Sequence, residues 1–290
     1  MPDLTQNDVD LCNKAALRTI RCAELQHGNP LSLRDLLISA QEDGIFYLDF
    51  GTGKWNLDQS VKDVDRLNHA LFDMPIEEKL LFDIDCRGKL KLNGVVAEYR
   101  EALAQLTSKC LDMTQLILSA LSRAFDLPAQ HSFESRHDSV TSPLDSVRLL
   151  RYPRAIGGDD DGVFRIPQLA HADMGSLTFL FTSSPGLQIL PAGATHWQHV
   201  LPLPGRAIVH FGDALKMLSG GRIESVLHRV VTTPGSQVLD RYSFAFLVRP
   251  EPSARMTALP GLGGEGREQA GLDMTCEDWV AMRFSQLRAK

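Results

Sequence analysis

The second half of the chain consists of short apolar or alternating runs that are separated by turn residues. From residue 146 onwards, Gly, Pro, Ser and Asp recur between these runs. Short strands with turn signals between them are typical of an antiparallel sandwich or barrel, whereas a parallel sheet needs helices between successive strands. The sequence therefore predicts a jelly-roll-like β region over residues 141–290. The runs span residues 146–152, 177–182, 187–191, 206–211, 226–232 and 242–249.

The first half, residues 1–140, has mainly helical periodicity. In its clearest segment, apolar residues recur at spacings of three and four from Leu103 to Leu121, which predicts one buried stripe on a long helix. We expect the helices to pack on the outside of the β region, so the predicted fold is a β-rich α+β fold. The predicted helices are 31–40, 58–74, 96–125 and a closing helix at 277–287, with one early strand at 44–50.

Charge and cysteine content exclude several classes of protein. The net charge is −6 and no long basic run is present, which argues against a nucleic-acid partner. The amino-terminal residues lack the order of a signal peptide, and no uncharged apolar run is long enough to span a bilayer. The five cysteines are odd in number and widely spaced, which disfavours a secreted disulfide scaffold. We therefore expect a cytoplasmic protein with no membrane partner.

The tripeptide His171-Ala172-Asp173 is the first candidate for chemistry. Residues two apart on a strand point to the same face, so His171 and Asp173 can reach one cavity. A carboxylate on an inward face is costly unless something such as a divalent metal neutralises it. By itself this short motif is weak, because a surface turn at a strand end is the plain alternative.

His228 is the best third ligand, since it lies in a strand pattern late in the β region. Two histidines and one carboxylate form a facial triad that leaves open positions on a metal, whereas zinc sites more often use three histidines, two with Glu, or several cysteines. Three other histidines of the second half are weaker candidates. They are His196 and His199 in a predicted turn and His210 in an apolar strand.

Arg241 and Ser243 share a face of the last predicted strand by the same rule of alternation. A guanidinium that points into a barrel needs an anionic partner, and its planar fork matches a carboxylate. The alternative is an ion pair with a neighbouring Asp or Glu. The pair therefore indicates either a carboxylate site or a structural ion pair.

Taken together, these residues resemble the signature of the isopenicillin N synthase-like iron(II)- and 2-oxoglutarate-dependent dioxygenases. The resemblance covers most of the chain and is nearest to members of the fungal natural-product type. It extends to phrases around the motifs, in family order, and upstream to Met74–Lys79 and Lys89–Gly94. The phrases are Arg151–Pro153, His171–Thr178, Gly186–Leu190, Phe211–Leu215, Ser225–Val230 and Arg241–Phe244.

The resemblance implies a double-stranded β-helix with flanking helices and Fe(II) bound by His171, Asp173 and His228. It also implies that 2-oxoglutarate chelates the iron and that Arg241 and Ser243 hold its distal carboxylate, with help from Tyr152. With O2, and with ascorbate as an accessory reductant, such an enzyme forms succinate and CO2 and oxidises a C–H bond. Hydroxylation, desaturation or ring closure of a small secondary metabolite follows.

Two positions depart from the family pattern. Leu150 stands where many members have an Asn near the cosubstrate, and a covering segment that usually follows the phrase ending at Gly94 is missing. Four apolar residues of the β region are expected to line the substrate pocket, although such residues are more often plain core. They are Leu177, Phe179, Leu190 and Phe246.

Three alternatives remain at this stage. An iron oxidase without 2-oxoglutarate would use Arg241 and Ser243 for the carboxylate of its own substrate, and Tyr152 favours 2-oxoglutarate over it. A silent jelly roll used for binding would have no physical reason to keep every ligand. A zinc hydrolase would need a general base, and none is evident at a motif spacing. The sequence predicts neither the oligomeric state nor the substrate.

Overall fold

The computed structural model describes most of the chain, and its described residues are 13–80, 94–137, 144–153, 168–231, 240–262 and 273–288. Among them, ten strands form two sheets. The strands are β1 (Thr19–Arg21), β2 (Ile45–Asp49), β3 (Ser146–Tyr152), β4 (Gln168–His171), β5 (Leu177–Phe181), β6 (Leu187–Leu190), β7 (Gln198–Val200), β8 (Arg206–Phe211), β9 (Leu227–Val230) and β10 (Arg241–Val248).

The larger sheet has the strand order β1-β2-β8-β5-β10-β3, and the smaller has β4-β9-β6-β7. Every pairing is antiparallel except the one between β1 and β2. Except for β1–β2 and β6–β7, neighbouring strands in each sheet are not consecutive along the chain, as in a double-stranded β-helix. The predicted β-rich α+β fold with a jelly-roll core is confirmed.

Helices flank the two sheets on the side of the larger one. Each predicted helix is present, although the long one is interrupted at Tyr99, and the helices at 22–26, 76–80 and 213–218 were not predicted. The helices are α1 (Cys22–Gln26), α2 (Pro30–Ile38), α3 (Asp58–Asp73), α4 (Ile76–Leu80), α5 (Gly94–Glu98), α6 (Arg100–Ala124), α7 (Asp213–Leu218) and α8 (Cys276–Arg288). Within the described ranges, no helix is both long and apolar enough to cross a bilayer.

The main core lies between the larger sheet and these helices. Helix α6 contributes its predicted stripe, in which Leu106, Cys110 and Ile117 are fully buried. They pack with aromatic residues of the sheet such as Phe179 and Phe246. A second apolar cluster joins the facing sides of the two sheets, so the sheets are held together independently of the helices.

The predicted strands of the second half are all present, and two further strands were not predicted. Strand β4 carries His171, and β7 contains His199, which the sequence placed in a turn. Strands β1 and β2 precede residue 140 yet belong to the larger sheet. The division of the chain at residue 140 stays a prediction. Lys89–Asn93 of the family-like phrase lie outside the described residues.

A buried histidine ties the connection after α6 to the turn that follows β4. His137 Nδ1 lies 2.7 Å from the carbonyl oxygen of Phe133, and its Nε2 lies 2.7 Å from Ser176 Oγ. Because a carbonyl can only accept, Nδ1 carries the proton, and Nε2 accepts from the serine hydroxyl. These roles apply to the neutral imidazole, which is the form at neutral pH because burial lowers the pKa of His137 to about 4.

This pair predicts a loss of stability in mild acid. The unfolded chain takes up a proton at His137 near pH 6.5, whereas the folded chain does so only near pH 4. The stabilisation of the folded state by neutral His137 is thus complete above pH 6.5 and is lost as the pH falls towards 4. This loss lowers the free energy of unfolding by at most about 3 kcal/mol. Urea unfolding at pH 7.5 and pH 5 should show a smaller acid loss in His137→Gln than in the unchanged protein. Equal losses would contradict the assignment.

Candidate metal centre

The turn after β4 carries Asp173 and is held by the start of α7. The backbone N–H of Asp213 donates to the carbonyl of Asp173 at 2.8 Å, and that of Ala214 donates to Gly175 at 3.1 Å. Asp173 lies beyond the end of β4 at His171, so this turn, and not strand alternation alone, sets its position. The backbone of α7 therefore locates a side chain of the site.

Two glycines allow this close approach of backbone segments. A Cβ atom on Gly212 would lie 2.2 Å from the carbonyl oxygen of Gly175, and a Cβ on Gly175 would lie 2.5 Å from the carbonyl oxygen of Val248. Gly212 has a φ of −110°, which any residue can adopt, so only the lack of space requires glycine there. The phrase Phe211–Leu215 thus supports the turn that carries Asp173.

His171 and His228 are direct partners across the antiparallel pair β4–β9. Each ring places Nδ1 against the carbonyl oxygen two residues earlier, at 2.9 Å from Leu169 and 3.2 Å from Val226. Because each carbonyl only accepts, Nδ1 carries the proton in both rings, and in a neutral ring Nε2 then has the lone pair. Both histidines are therefore in the tautomer that can bind a metal through Nε2.

The two Nε2 atoms face one oxygen of Asp173. His171 Nε2 lies 3.7 Å from Asp173 Oδ1, and His228 Nε2 lies 3.9 Å from the same atom. The three possible ligand atoms lie within 4.8 Å of one another. Two donors that each lie about 2.0–2.2 Å from one ion are at most about 4.4 Å apart, so an ion can lie between either histidine nitrogen and Asp173 Oδ1.

The charges of the group also favour a cation. Burial by itself would raise the pKa of Asp173, but the contact with His210, the nearby imidazoles and Thr178 outweigh it, so the pKa lies below its usual value. Burial lowers the pKa of His228 to about 3, so that ring is neutral at neutral pH. The site thus combines an ionised, largely buried carboxylate with a neutral imidazole, an arrangement that a divalent cation stabilises.

His210 is a residue of the site that sequence reasoning missed. It was taken as a plain core histidine of an apolar strand, yet its Nδ1 lies 3.5 Å from Asp173 Oδ2. Its ring also lies 4.5 Å from the ring of His228. The two oxygens of Asp173 therefore have different neighbours, one facing the ligand nitrogens and the other facing His210.

Arg241 lies deeper in the same pocket, with 3% of its surface exposed. Its Nε donates to the carbonyl of Pro185 at 2.9 Å, and Nη1 donates to Ser243 Oγ at 3.2 Å. The guanidinium stacks 5.1 Å from the centre of the Tyr152 ring, and burial lowers its pKa. Its Nη2 is buried and has no hydrogen-bond partner among the residues that the structure describes. One donor of the fork is therefore available to an anionic oxygen.

The pocket lies between the two sheets, and alternate residues of their strands line it. On β10 the lining residues are 241, 243, 245 and 247, and on β3 they are 148, 150 and 152. The structure thus brings the metal-site residues, Tyr152, Arg241 and Ser243 into one pocket. The remaining lining residues are Gln168, Thr178, Leu180, Leu187, His210 and Val230.

Three of the predicted substrate residues face away from this pocket. Leu177, Phe179 and Phe246 are buried in the core between the larger sheet and the helices. Phe179 and Phe246 are paired across β5 and β10. On each strand, they are next to the residue that faces the pocket, which is Leu180 on β5 and Ala245 on β10. This placement corrects the expected lining, because adjacent strand residues point to opposite faces. Leu190 is half-buried and is also absent from the lining.

The fold and this group of side chains define a jelly-roll protein with two histidines and a carboxylate in one pocket. That donor set suits the mononuclear non-haem iron(II) oxygenases. A family model described as the 2OG-Fe(II) oxygenase superfamily matches residues 144–250.

Relatives at the sequence level agree with this match. The 2-oxoglutarate-dependent dioxygenase FG08081 of Gibberella zeae is 30% identical over 275 residues, covering 82% of this chain and 81% of that protein. The 2-oxoglutarate-dependent dioxygenase iboH of Amanita muscaria is 39% identical over 152 residues, covering 51% of this chain and 71% of its own. The chain therefore belongs to the 2OG-Fe(II) oxygenase superfamily and is an iron(II)- and 2-oxoglutarate-dependent dioxygenase.

Solved structures share the fold. A full-length protein of Neurospora crassa, in complex with alpha-KG and 5-formyluracil, has a TM-score of 0.77 and 21% identity, covering 92% of this chain and 95% of that one. The dioxygenase for auxin oxidation from rice has a TM-score of 0.73 and 21% identity, covering 93% and 95%. At this level of identity, the likeness shows the fold.

The contact between α7 and the turn of Asp173 predicts that Gly212→Ala disturbs the metal centre. The added methyl would have to move the carbonyl of Gly175, and such overpacking costs about 1–3 kcal/mol. We expect a lower urea midpoint and an affinity for Mn(II) reduced about tenfold, as measured by titration of the metal-free protein. Gly94→Ala is the matched control, because no atom of the described residues lies within 4 Å of a Cβ at Gly94. Two variants with the same midpoint and affinity would refute this role for Gly212.

Proposed function

We propose that this dioxygenase oxidises a C–H bond of a small molecule, with Fe(II) bound by His171, Asp173 and His228. In this proposal, Arg241, Ser243 and Tyr152 hold 2-oxoglutarate. The observation that carries the assignment is that one pocket contains both an ionised carboxylate suited to a metal and a buried guanidinium with an unpartnered donor. An iron(II) ion and a dicarboxylate together neutralise both groups.

The metal side of the pocket has ligands prepared for a divalent ion. The backbone carbonyls of Leu169 and Val226 accept from Nδ1 of His171 and His228, so Nε2 of each neutral ring is the nitrogen left to bind a metal. Asp173 is already ionised at neutral pH. When bound, iron activates O2 at the expense of 2-oxoglutarate, which is converted to succinate and CO2.

The cosubstrate side is built by β3 and β10. Arg241 is the register partner of Tyr152, and Ser243 is that of Leu150. Because Arg241 already donates to Ser243 Oγ, the serine hydroxyl proton is available for a second acceptor. A carboxylate between them would receive a charge-assisted bond from the guanidinium and one from Ser243. Leu150 adds an apolar wall in the same lining.

The remaining walls favour a small and largely apolar substrate. Leu180, Leu187 and Leu247 line the pocket, with Arg148 and Gln168 as further polar groups. A small secondary metabolite fits this lining, and hydroxylation, desaturation or ring closure are the products to be tested. The complex of the Neurospora crassa protein with 5-formyluracil supports a small-molecule substrate for a protein of this fold. The cytoplasmic location and ascorbate as an accessory reductant stay predictions.

Asp173→Ala tests the metal ligands. Loss of one of three ligands, and of the negative charge, should abolish iron retention after gel filtration and reduce succinate formation to background. Asp63→Ala is the matched control, because Asp63 is on the surface of α3, where it pairs with Arg66. Iron retained at the unchanged stoichiometry in Asp173→Ala would remove this residue from the site.

Arg241→Leu tests the carboxylate anchor separately from the metal. Removing a charge-assisted hydrogen bond of about 1.5–3 kcal/mol should raise the 2-oxoglutarate concentration for half-maximal succinate formation about 10- to 100-fold. Iron content should change little. Arg123→Leu, on the surface of α6, is the control for loss of a cation. If the 2-oxoglutarate requirement is unchanged in Arg241→Leu, Arg241 does not hold the cosubstrate.

A further inference from the structure

Gln168 links the metal side of the pocket to the cosubstrate side. It is the first residue of β4, and its half-buried side chain lines the pocket. Its Oε1 accepts a hydrogen bond from the hydroxyl of Tyr152 at 2.7 Å, and its Nε2 lies 3.2 Å from Nε2 of His171. His171 is a proposed iron ligand and Tyr152 a proposed 2-oxoglutarate contact, whereas Gln168 binds neither group in the proposed function.

The orientation of the carboxamide follows from the protons of His171. In the neutral imidazole, the carbonyl of Leu169 holds the single ring proton on Nδ1, and Nε2 is then an acceptor. The group 3.2 Å from it must therefore be the amide N–H2 of Gln168. The amide oxygen then faces Tyr152, whose hydroxyl donates to it. In this arrangement, each donor faces an acceptor: the Tyr152 hydroxyl faces Oε1 of Gln168, and the Gln168 amide faces Nε2 of His171.

A metal and Gln168 compete for the same lone pair. His171 Nε2 is the atom that faces Asp173, and it is also the acceptor of the Gln168 amide. An sp² nitrogen has one lone pair, so it cannot bind a metal and accept this hydrogen bond at once. Metal binding therefore releases an amide N–H at the edge of the metal site, while Oε1 can keep its bond to Tyr152.

Tyr152 connects this amide to the carboxylate anchor, because its ring stacks on the guanidinium of Arg241. The released N–H of Gln168 thus lies on the side of the pocket between the metal ligand His171 and the guanidinium of Arg241, whose Nη2 is the free donor. The ligand expected there is an oxo-acid with a carboxylate at each end, and carboxylate oxygens are strong acceptors.

We propose that Gln168 is a positioning residue that couples the metal and 2-oxoglutarate sites. It occupies Nε2 of His171 before metal binds, and afterwards its freed amide donates to a carboxylate oxygen of 2-oxoglutarate. This inference rests on the proposed function of the pocket. Loss of the Gln168 amide should therefore raise the affinity for the metal and lower the affinity for 2-oxoglutarate. Loss of a merely structural side chain would not produce two opposite changes.

Gln168→Met provides the test, because methionine keeps the length of the side chain and lacks the amide. Without a competing donor at His171, the affinity of the metal-free protein for Mn(II) should increase about 2- to 10-fold. Mn(II) is a suitable probe because it does not favour a thioether ligand. The affinity of the Mn(II)-loaded protein for 2-oxoglutarate should decrease about 10-fold or more, because a bond to a charged oxygen is lost. Free Mn(II) by electron paramagnetic resonance and calorimetry with 2-oxoglutarate measure the two quantities.

Gln105→Met is the matched control, since it makes the same substitution at an exposed position of α6, where the Gln105 amide donates to Glu101. The control should leave both affinities within about twofold. Gln168→Met with both affinities unchanged, or with both reduced, would overturn the coupling while leaving the proposed function intact. If the unchanged protein binds no Mn(II), or binds no 2-oxoglutarate when loaded with Mn(II), the proposed function and the inference are both wrong.

Discussion

The ionised carboxylate of Asp173 is the group around which the rest of the pocket is arranged. Its turn is fixed by backbone hydrogen bonds from α7 that need glycine at position 212. Across the pocket, two carbonyls set the tautomers of His171 and His228, so both rings turn a lone pair towards the same oxygen. A charge held in this way without a cation is costly. The start of α7 positions Asp173, and the carbonyls of Leu169 and Val226 orient the two histidines on the jelly-roll strands. Together they therefore build a site that a metal ion stabilises.

Much of the fold could be predicted because it depends on local patterns. Apolar and alternating runs with turn residues between them located β3, β5, β6, β8, β9 and β10, and the stripe from Leu103 to Leu121 located α6. Strand alternation also placed Arg241 and Ser243 on one face, where the structure brings them into contact at 3.2 Å. Strands β4 and β7 were not predicted, because neither Gln168–His171 nor Gln198–Val200 contains an apolar or alternating run that could be recognised.

The errors in the site have a different physical origin. Phe246 is an odd number of residues from Arg241 and Ser243, so the rule that turns those two inward turns Phe246 towards the helices. That error could have been avoided from the sequence. The contact of His210 with Asp173 could not have been predicted in the same way, because it depends on how β8 faces the turn after β4. Gln168 likewise gains its role only from strand pairing, which brings Tyr152 and His171 to its two ends.

The most direct test of this account is an anaerobic visible difference spectrum of the ferrous protein with and without 2-oxoglutarate. The account predicts a new charge-transfer band on addition of 2-oxoglutarate, because an oxo-acid anchored near Arg241 would chelate iron held at Asp173. The band should be absent from Asp173→Ala, and it should need much more 2-oxoglutarate in Arg241→Leu. A ferrous protein that retains iron yet gives no band at saturating 2-oxoglutarate would contradict the assignment of this pocket.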